Sequence, residues 1–393
     1  MEQLPGMTEC EKGPADSCRA IRIDWKPLIE RKIILIATAT IQTENVFSNG
    51  LFQNIFFLYK LFDAIGYVPI LIINNKPKTI DTIPTIMRHV RMLTIEELSK
   101  TPMPIHIYLE IGMSIDASLR KHLNMTGARI AKLYLGNILN IDIETPMFYP
   151  AIHFSHHIIG ELNEIWVSPH YKQHGQYAAI LNHVDIKSLK IAPYVWDPCI
   201  LDLYSKISWR PRKQDEIETI LILEPNISFQ KSALLPILIA ERNYVENKRK
   251  LKVIVGNGDK FMSNPFFTIT ILPRLQLYKD QLITFTSRLT ITDVMKDYPH
   301  ATAICHQINN EYNYMTLEFL YAGFPIIHNA ADWSDAGYYY KNNSISEGSK
   351  ALAKSLVAHS NTIESYISGA KIVQWRHSIY NPEIQASWKE LLK

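Results

Sequence analysis

Residues 306–327 read HQINNEYNYMTLEFLYAGFPII and contain, in order, the end of a strand, a polar loop, a short apolar helix, a glycine turn and another strand. The predicted helix holds one carboxylate, Glu318, among apolar residues, and Gly323 and Pro325 turn the chain into the apolar run that ends at Ile327. A glutamate is rarely placed among apolar neighbours for packing alone. The stretch therefore predicts one strand–helix–strand unit of a parallel sheet, with a functional carboxylate on its helix.

The same alternation of strands and helices runs through both halves of the chain. In the first half the predicted strands are RKIILIATAT (31–40), VPILIINN, IHIYLEIG, AKLYLGN, NEIWVSP and SLKIAPYVW. In the second half they are ETILILEP, LKVIVGNG, DQLITFTS, ATAICHQ and PIIHNA. Apolar residues at helical spacing follow several of these strands, as in NGLFQNIFFLYKLFDAIGY and KSALLPILIAERNYVEN. This rhythm is typical of parallel α/β domains.

The domain organisation follows from length and from one polar stretch. At 393 residues the chain exceeds one typical core, and SKISWRPRKQDEIE (205–218) has the composition of an interdomain linker. The predicted fold class is α/β, with two Rossmann-like doubly wound parallel-sheet domains that face each other across a cleft. The predicted parts are a flexible tail at 1–26, an N-terminal domain at 27–208, a C-terminal domain at 209–370 and a helical segment at 371–393. That last segment, which has a break at Pro382, is predicted to pack back on the N-terminal domain.

Charge and cysteine content narrow the class of protein. A formal net charge of +3 lacks the basic excess of a dedicated nucleic-acid binder. The cysteines, Cys10, Cys18, Cys199 and Cys305, show no CxxC spacing that would indicate a zinc site or a disulfide framework, which favours a reducing compartment. No apolar run approaches the roughly 20 residues that span a bilayer, and the first residues lack the apolar core of a signal peptide. We therefore expect a cytoplasmic protein.

The predicted ligand site lies in the loops that follow the strands, because ligands of open parallel sheets bind beyond the carboxyl ends of the strands. No GxGxxG motif follows the first strand of either half. The strand-end loops of the first half are 48–50, 135–137 and 168–170, and those of the second half are 224–226, 256–258, 306–313 and 328–329.

The opening segment resembles the donor-binding segment of B-fold (GT-B) glycosyltransferases, whose common form is Glu, a small-residue loop and then Glu-Ala-x-x-x-Gly-x-Pro-Val-Ile. Glu318 falls on the glutamate that takes the ribose hydroxyls of a nucleotide sugar in such enzymes. A carboxylate suits that task because it accepts two hydrogen bonds from a vicinal diol. The helix N-terminus, from Asn313 to Thr316, would point backbone N–H groups at the diphosphate.

The segment departs from that pattern at one position. The usual first glutamate lies eight residues before the second, and Asn310 stands there in this chain, with Glu311 one place out of register. Asn310 can still hydrogen-bond a sugar hydroxyl, but it carries no charge. Either Glu311 serves in a reshaped loop, or the donor sugar is held differently.

A longer resemblance covers the chain from about residue 33 to its end. The pieces SNGLFQN, LYLGN, EIWVSPHY, PYVWDP, LEPNISFQKSALLP, NYMTLEFLYAGFPIIHN and GYYY (337–340) are similar to those of a family of uncharacterised bacterial proteins regarded as B-fold glycosyltransferases. The resemblance implies a transferase with a nucleoside diphosphate sugar as donor and no further cofactor. By likeness to the Glu-motif enzymes it favours retention of anomeric configuration without a metal ion.

Further donor-binding candidates follow the first strand of each half. By the same resemblance, Lys231 lies where B-fold transferases commonly send a basic residue to the donor diphosphate, with Asn226 in the same loop. Lys231 would supply charge for leaving-group departure without a metal. A solvated lysine at a helix start remains the alternative. Asn49 and Gly50 would let a phosphate or sugar approach the backbone, or they form a plain helix cap with a turn glycine.

No catalytic residue is identified, and His153 and Asn137 are weak candidates. His153, His156 and His157 suggest a metal, but adjacent histidines rarely share one ion with good geometry and no carboxylate lies at ligand spacing. A sugar contact fits His153 better, and surface or core packing fits better still. Asn137 follows a strand end, where turn chemistry explains it equally well.

The predicted function is transfer of a sugar from a nucleoside diphosphate sugar, bound by the C-terminal domain, to a glycan, lipid-linked or other acceptor bound by the N-terminal domain. Two other functions stay open. A nucleotide-sugar epimerase would use the same fold without an acceptor, and a non-catalytic nucleotide-sugar or glycan-binding protein would explain the missing glutamate. A nucleic-acid acceptor is disfavoured by the weak net charge.

Overall fold

The computed structural model describes residues 31–39, 50–77, 79–112, 114–148, 157–158, 160–203 and 207–393. The chain divides into two compact units. Unit 1 contains the residues up to Asp197 together with His377–Lys393, and unit 2 is Pro198–Arg376. The predicted tail at 1–26 lies outside the described residues.

Unit 1 is built on a parallel sheet. Its strands are β1 (Ile33–Ala37), β2 (Val68–Ile73), β3 (Met92–Thr94), β4 (Ile105–Glu110), β5 (Arg129–Tyr134), β6 (Glu164–Val167) and β7 (Leu189–Ile191). Its α-helices are α1 (Gly50–Ala64), α2 (Ile95–Lys100), α3 (Ala117–Met125), α4 (Ile138–Phe148) and α5 (Gly175–Leu181). Strands β1 and β2 are buried along their whole length, as the all-apolar sequence IILIA of β1 requires when helices cover both faces.

The strand order of this sheet is β3-β2-β1-β4-β5-β6-β7, and every pair is parallel. The direction in which strands are added reverses between β1 and β4. Such a reversal is the topological switch point at which open α/β sheets bind ligands.

Unit 2 repeats the plan. Its strands are β8 (Glu218–Ile222), β9 (Leu251–Val255), β10 (Ile283–Phe285), β11 (Thr302–Ile304), β12 (Ile326–His328) and β13 (Tyr338–Tyr339). Its α-helices are α6 (Cys199–Asp202), α7 (Leu234–Asn247), α8 (Asp259–Met262), α9 (Gln276–Lys279), α10 (Ile291–Asp297), α11 (Tyr314–Tyr321) and most of α12 (Ile345–His377).

The order of the second sheet is β10-β9-β8-β11-β12-β13, again all parallel. Its switch point lies between β8 and β11. The predicted fold class of two parallel α/β domains is therefore confirmed, and each unit carries its own switch point.

The end of the chain belongs to unit 1. Helix α13 (Pro382–Leu391) buries Trp388, whose ring meets Phe62 at 5.3 Å and Trp166 at 5.9 Å between centroids. The break predicted at Pro382 is the gap between α12 and α13, with Pro382 as the first residue of the new helix. The two units divide after Asp197 and after Arg376, whereas the boundaries predicted from the sequence were 208 and 370. The second division lies later than predicted because α12 continues without interruption to His377.

Among the described residues, we find no helix with both the length and the apolar character needed to cross a bilayer.

Candidate functional site

Two loops meet at the carboxyl edge of the unit 2 sheet. One follows β8 and runs from Leu223 to Lys231, and the other follows β11 and runs from Cys305 to Asn313. The backbone N–H of Ile308 donates to the carbonyl of Gln230 at 3.0 Å and so ties the two loops together. At the switch point of this sheet, the loops after β8 and β11 are therefore held together by a hydrogen bond.

Glu224 lies between these loops and is fully buried. Its carboxylate accepts hydrogen bonds from the backbone N–H of His306, at 3.0 Å, and from the side-chain amide of Gln307. Burial raises the pKa of Glu224 to about 7. The two hydrogen-bond donors, the Cys305 thiol and the Lys231 ammonium all act to lower this pKa, but burial has the larger effect. The site thus holds a carboxyl group that changes charge near neutral pH.

Gln307 extends this contact into a chain of side-chain amides. Its Oε1 accepts from Nδ2 of Asn310 at 2.6 Å, while its Nε2 donates to Glu224. Asn329, after β12, accepts from the backbone N–H of Gln307 at 3.0 Å and donates to its carbonyl at 2.6 Å. Every polar group of Gln307 is therefore fixed by a neighbour.

Asn226 shapes the loop that carries Lys231. Its backbone is left-handed, with φ of 52°, and its N–H donates to the carbonyl of Lys231 at 3.0 Å. Its side chain accepts from the N–H of Ala233 at 2.7 Å and donates to the carbonyl of Asn257 at 3.1 Å. The Asn226 amide is thus used inside the protein, where it holds the loop.

Lys231 is partly buried at the end of this loop. Burial lowers its pKa, and the nearby negative charge of Glu224 acts in the opposite direction. The arrangement keeps one cationic side chain beside the buried carboxyl group of Glu224.

Helix α11 begins at the same edge. Asn313 is its N-cap, because its Oδ1 accepts from the N–H of Met315 at 3.0 Å. The Asn313 amide also lies 3.8 Å from the Cys305 sulfur. Thr316 and Glu318 lie in the first turns of the helix and are buried, with Glu318 6% exposed. The helix N-terminus, the capping Asn313 and the Glu318 carboxylate are thus built on one rigid element.

The position of the missing motif glutamate is occupied by a buried side chain. Asn310 is 4% exposed and gives its amide N–H to Gln307. The neighbouring Glu311 is partly buried, and burial together with the charge of Asp332 raises its pKa. Asn310 therefore belongs to the amide chain that starts at Glu224, and Glu311 does not replace it there.

Two buried histidines lie at the same edge, in predicted strand-end loops, although the sequence assigned neither of them a role of its own. His306 Nδ1 pairs with the hydroxyl of Tyr340, and Nε2 of His328 donates to the carbonyl of Ala336 at 2.9 Å. Burial lowers the pKa of each to about 4, so both rings are neutral at neutral pH. Both histidines are thus buried, uncharged polar groups at the carboxyl edge of the unit 2 sheet.

The unit 1 candidates are only partly described. Asn49, His153 and His156 lie outside the described residues, and Gly50 is the first residue of α1. Asn137 is buried, and its Oδ1 accepts from the N–H of Asn140 at 3.2 Å and lies 2.7 Å from Nδ1 of His174. The structure therefore uses Asn137 to begin helix α4.

His157 is held inside a polar cluster of unit 1. Its Nε2 lies 2.6 Å from Asp142, which also accepts the hydroxyl of Tyr177 at 2.6 Å. Its Nδ1 lies 3.5 Å from the amide of Asn182. Within the described part of the chain, no group of three or more His, Cys, Asp and Glu side chains is arranged to hold a metal ion.

A second buried carboxylate, Glu110, ends β4 at the switch point of unit 1. It lies 3.4 Å from the guanidinium of Arg120 and 3.8 Å from the ammonium of Lys132, and all three residues are buried. Both units therefore place a fully buried glutamate at the switch point of the sheet. The sequence signal for each is an acidic residue at or just past the end of an apolar strand.

A family model described as "Protein of unknown function (DUF2827)" matches residues 34–392. No curated protein gives a significant match to the sequence.

Solved structures match the chain along most of its length. A glycosyltransferase from Rickettsia africae has a TM-score of 0.58 at 13% identity, covering 92% of this chain and 98% of that chain. A UDP-forming trehalose-phosphate synthase from Burkholderia xenovorans has a TM-score of 0.55 at 9% identity, and the match covers 92% of this chain and 99% of that chain. HepE from Anabaena, in complex with UDP and glucose, has a TM-score of 0.54 at 10% identity, with the same coverage of 92% of this chain and 99% of that chain. At these identities the likeness shows the fold, which is that of the GT-B glycosyltransferases.

Proposed function

We propose that this chain, which belongs to the DUF2827 family, is a glycosyltransferase that uses a nucleoside diphosphate sugar as donor. The donor binds at the β8/β11 switch point of unit 2, and unit 1 binds the acceptor. The fold supports this proposal, since its matches include glycosyltransferases and one of them is a complex with UDP-glucose. The fold alone does not choose a reaction, so the proposal depends on the site.

The observation that carries the proposal is the meeting of three features at one sheet edge. Lys231 follows β8, helix α11 begins after β11 with Asn313 as its cap, and Glu318 lies one turn into that helix. A cation and a helix N-terminus both stabilise a diphosphate, while a carboxylate accepts hydrogen bonds from a ribose diol. The diphosphate and the ribose of a nucleotide sugar thus each have a matching group.

The reaction needs charge stabilisation at the departing diphosphate. Lys231 and the N–H groups at the start of α11 supply positive charge in a partly buried site, where such groups act more strongly than in water. We therefore propose a metal-independent reaction. Retention of anomeric configuration is the outcome we propose from the likeness of the Glu318 segment to retaining enzymes.

The remaining residues have secondary roles in this proposal. Asn226 positions Lys231 through the loop that it closes. Thr316 helps to build the helix N-terminus near the diphosphate, since its backbone N–H donates to the carbonyl of Asn313 at 3.1 Å. Asn310 and Glu311 lie beside the sugar of the donor. In unit 1, Gly50 stays a donor-binding candidate and Asn137 a weak catalytic candidate. Asn49, predicted to bind the donor, and His153, the other weak catalytic candidate, lie outside the described residues.

The test is a binding and turnover screen with UDP-, ADP- and GDP-sugars, following thermal stabilisation and release of nucleoside diphosphate. A donor that binds the folded site raises the unfolding midpoint by mass action. The Glu318→Ala variant should lose that shift, whereas Glu364→Ala, which removes an exposed carboxylate elsewhere in unit 2, should keep it.

The products separate the candidate reactions. Slow release of nucleoside diphosphate, increased by an acceptor, supports a transferase. An isomerised donor without release would show an epimerase, and binding without any turnover would show a binding protein. If no donor stabilises the wild-type protein, the proposal is wrong.

A further inference from the structure

The carboxyl group of Glu224 is enclosed by groups that can accommodate either of its charge states. It is fully buried and accepts hydrogen bonds from the backbone of His306 and the amide of Gln307. Among the described residues no cation forms an ion pair with it, although the Lys231 ammonium acts on it electrostatically. Its negative charge is therefore held mainly by hydrogen bonds.

The titratable groups that face Glu224 come from three elements. Lys231 follows β8, Cys305 and His306 follow β11, and Tyr340 follows β13. Burial raises the pKa of the Cys305 thiol and of the Tyr340 hydroxyl, and lowers the pKa of His306, so these three are neutral at neutral pH. Glu224 and Lys231 are thus the two groups of this cluster that carry charge near neutral pH.

We propose that Glu224 is a positioning residue that takes up one proton from solvent when a nucleoside diphosphate sugar binds beside Lys231. The inference rests on the proposed function. A diphosphate diester brings two negative charges to the cluster, and like charges in a buried site repel strongly. Protonation of Glu224 removes one negative charge and leaves the Lys231 ammonium to the diphosphate.

The proton also changes the amide chain. Ionised Glu224 accepts from Nε2 of Gln307, whose Oε1 accepts from Asn310. A protonated carboxyl keeps acceptor capacity and gains one O–H donor. In this proposal the O–H faces Gln307, whose amide turns over and presents Oε1 to Glu224. Its Nε2 then faces Asn310, and the Asn310 amide must also turn over to present its oxygen. Protonation of Glu224 thereby redirects the Asn310 N–H groups, at the position where the related motif carries a glutamate.

Calorimetry of UDP-glucose binding in buffers with different ionisation enthalpies measures this proton directly. UDP-glucose has no group of its own that titrates near neutral pH. Because the pKa of Glu224 is about 7, we expect uptake of about half a proton per bound nucleotide at pH 7 and nearly one at pH 8. Above pH 7.5 the affinity should fall about tenfold per pH unit.

Two variants assign the proton. Glu224→Gln imitates the protonated carboxyl, so it should bind without proton uptake between pH 7 and 8 and with little dependence on pH. Glu218→Gln removes another mostly buried carboxylate of raised pKa, at the opposite end of β8, and should keep the uptake of the wild-type protein. Thermal unfolding confirms that each variant is folded.

The outcomes are distinct. Binding without proton uptake in the wild-type protein overturns the role of Glu224 and leaves the proposed function intact. Proton uptake that persists in Glu224→Gln but disappears in His306→Asn assigns the proton to His306, and this result also overturns the role of Glu224. If UDP-glucose, ADP-glucose and GDP-glucose all fail to bind at any pH, the proposed function and this inference are both wrong.

Discussion

The carboxyl group of Glu224 accepts the backbone N–H of His306 at 3.0 Å and so joins the end of β8 to the end of β11. The two residues are 82 positions apart in the chain and meet only because the sheet places β8 beside β11. A buried charge held by hydrogen bonds costs free energy that must be balanced elsewhere. We infer that this carboxyl group is kept for its function and makes a poor contribution to stability when ionised.

The pH dependence of stability tests the ionisation of Glu224. Its folded pKa of about 7 lies above the ordinary 4.5, so the folded state holds more protons than the unfolded state between these values, and stability falls as pH rises. The difference corresponds to on the order of 3 kcal/mol. His306 and His328, with pKa lowered to about 4 from 6.5, act in the opposite direction over much of the same range.

The comparison must therefore be made between variants. We expect the free energy of unfolding of Glu224→Gln, minus that of the wild-type protein, to increase from pH 4.5 to pH 7 and then stay constant. Urea denaturation at several pH values measures it. A difference that is independent of pH would show that Glu224 titrates normally.

Removal of the cation at the site should slow turnover. Lys231→Met keeps the length of the side chain and loses its charge, so stabilisation of the departing diphosphate is lost. We expect kcat to fall about 100-fold, in the range measured for removal of one electrostatic group from other active sites. Lys252→Met, on the exposed side of β9, is the matched control and should change kcat little. Equal effects of the two substitutions would contradict the role of Lys231.

Two substitutions of Asn226 distinguish the effect of its left-handed backbone from the effect of its side-chain hydrogen bonds. Asn226→Gly keeps a conformation with φ of 52° but loses the hydrogen bond to Ala233, whereas Asn226→Ala loses the bond and strains the backbone. We expect the alanine variant to be less stable than the glycine variant by about 1 kcal/mol. Both should bind the donor more weakly, since the loop positions Lys231. Unfolding and donor titration of the pair measure the two effects, and equal stability would show that the backbone is unstrained.

The sequence predicted the central strands because each is a mostly apolar run rich in β-branched residues or leucine. It missed β3 (Met92–Thr94) and β13 (Tyr338–Tyr339), because three and two residues at a sheet edge leave no period to detect. Helix α12 was also not predicted before residue 371, since its mixed stretch ISEGSKALAKSL carries a weak apolar pattern.

The site was predictable only as a set of loops. The motif around Glu318 and the strand-end position of Lys231 could be read from local sequence, whereas the chain from Glu224 through Gln307 to Asn310 depends on side-chain directions across two strands. The sequence placed Glu224 in a strand-end loop without a role, because an acidic residue there reads equally well as a solvated turn. Burial gives it the raised pKa, and burial is a property of the folded sheet.

The packing of the C-terminal helix α13 in unit 1 gives a last test. Trp388 is 1% exposed and packs edge-on against Phe62 and Trp166, so Trp388→Ala removes a large buried ring and leaves a cavity. Substitutions of this kind cost about 3–5 kcal/mol. Trp375→Ala, whose ring is 54% exposed on α12, should cost less than about 1 kcal/mol. Chemical denaturation measures the free energy of unfolding of both variants. A Trp388→Ala variant as stable as the wild-type protein would show that α13 is not part of the unit 1 core.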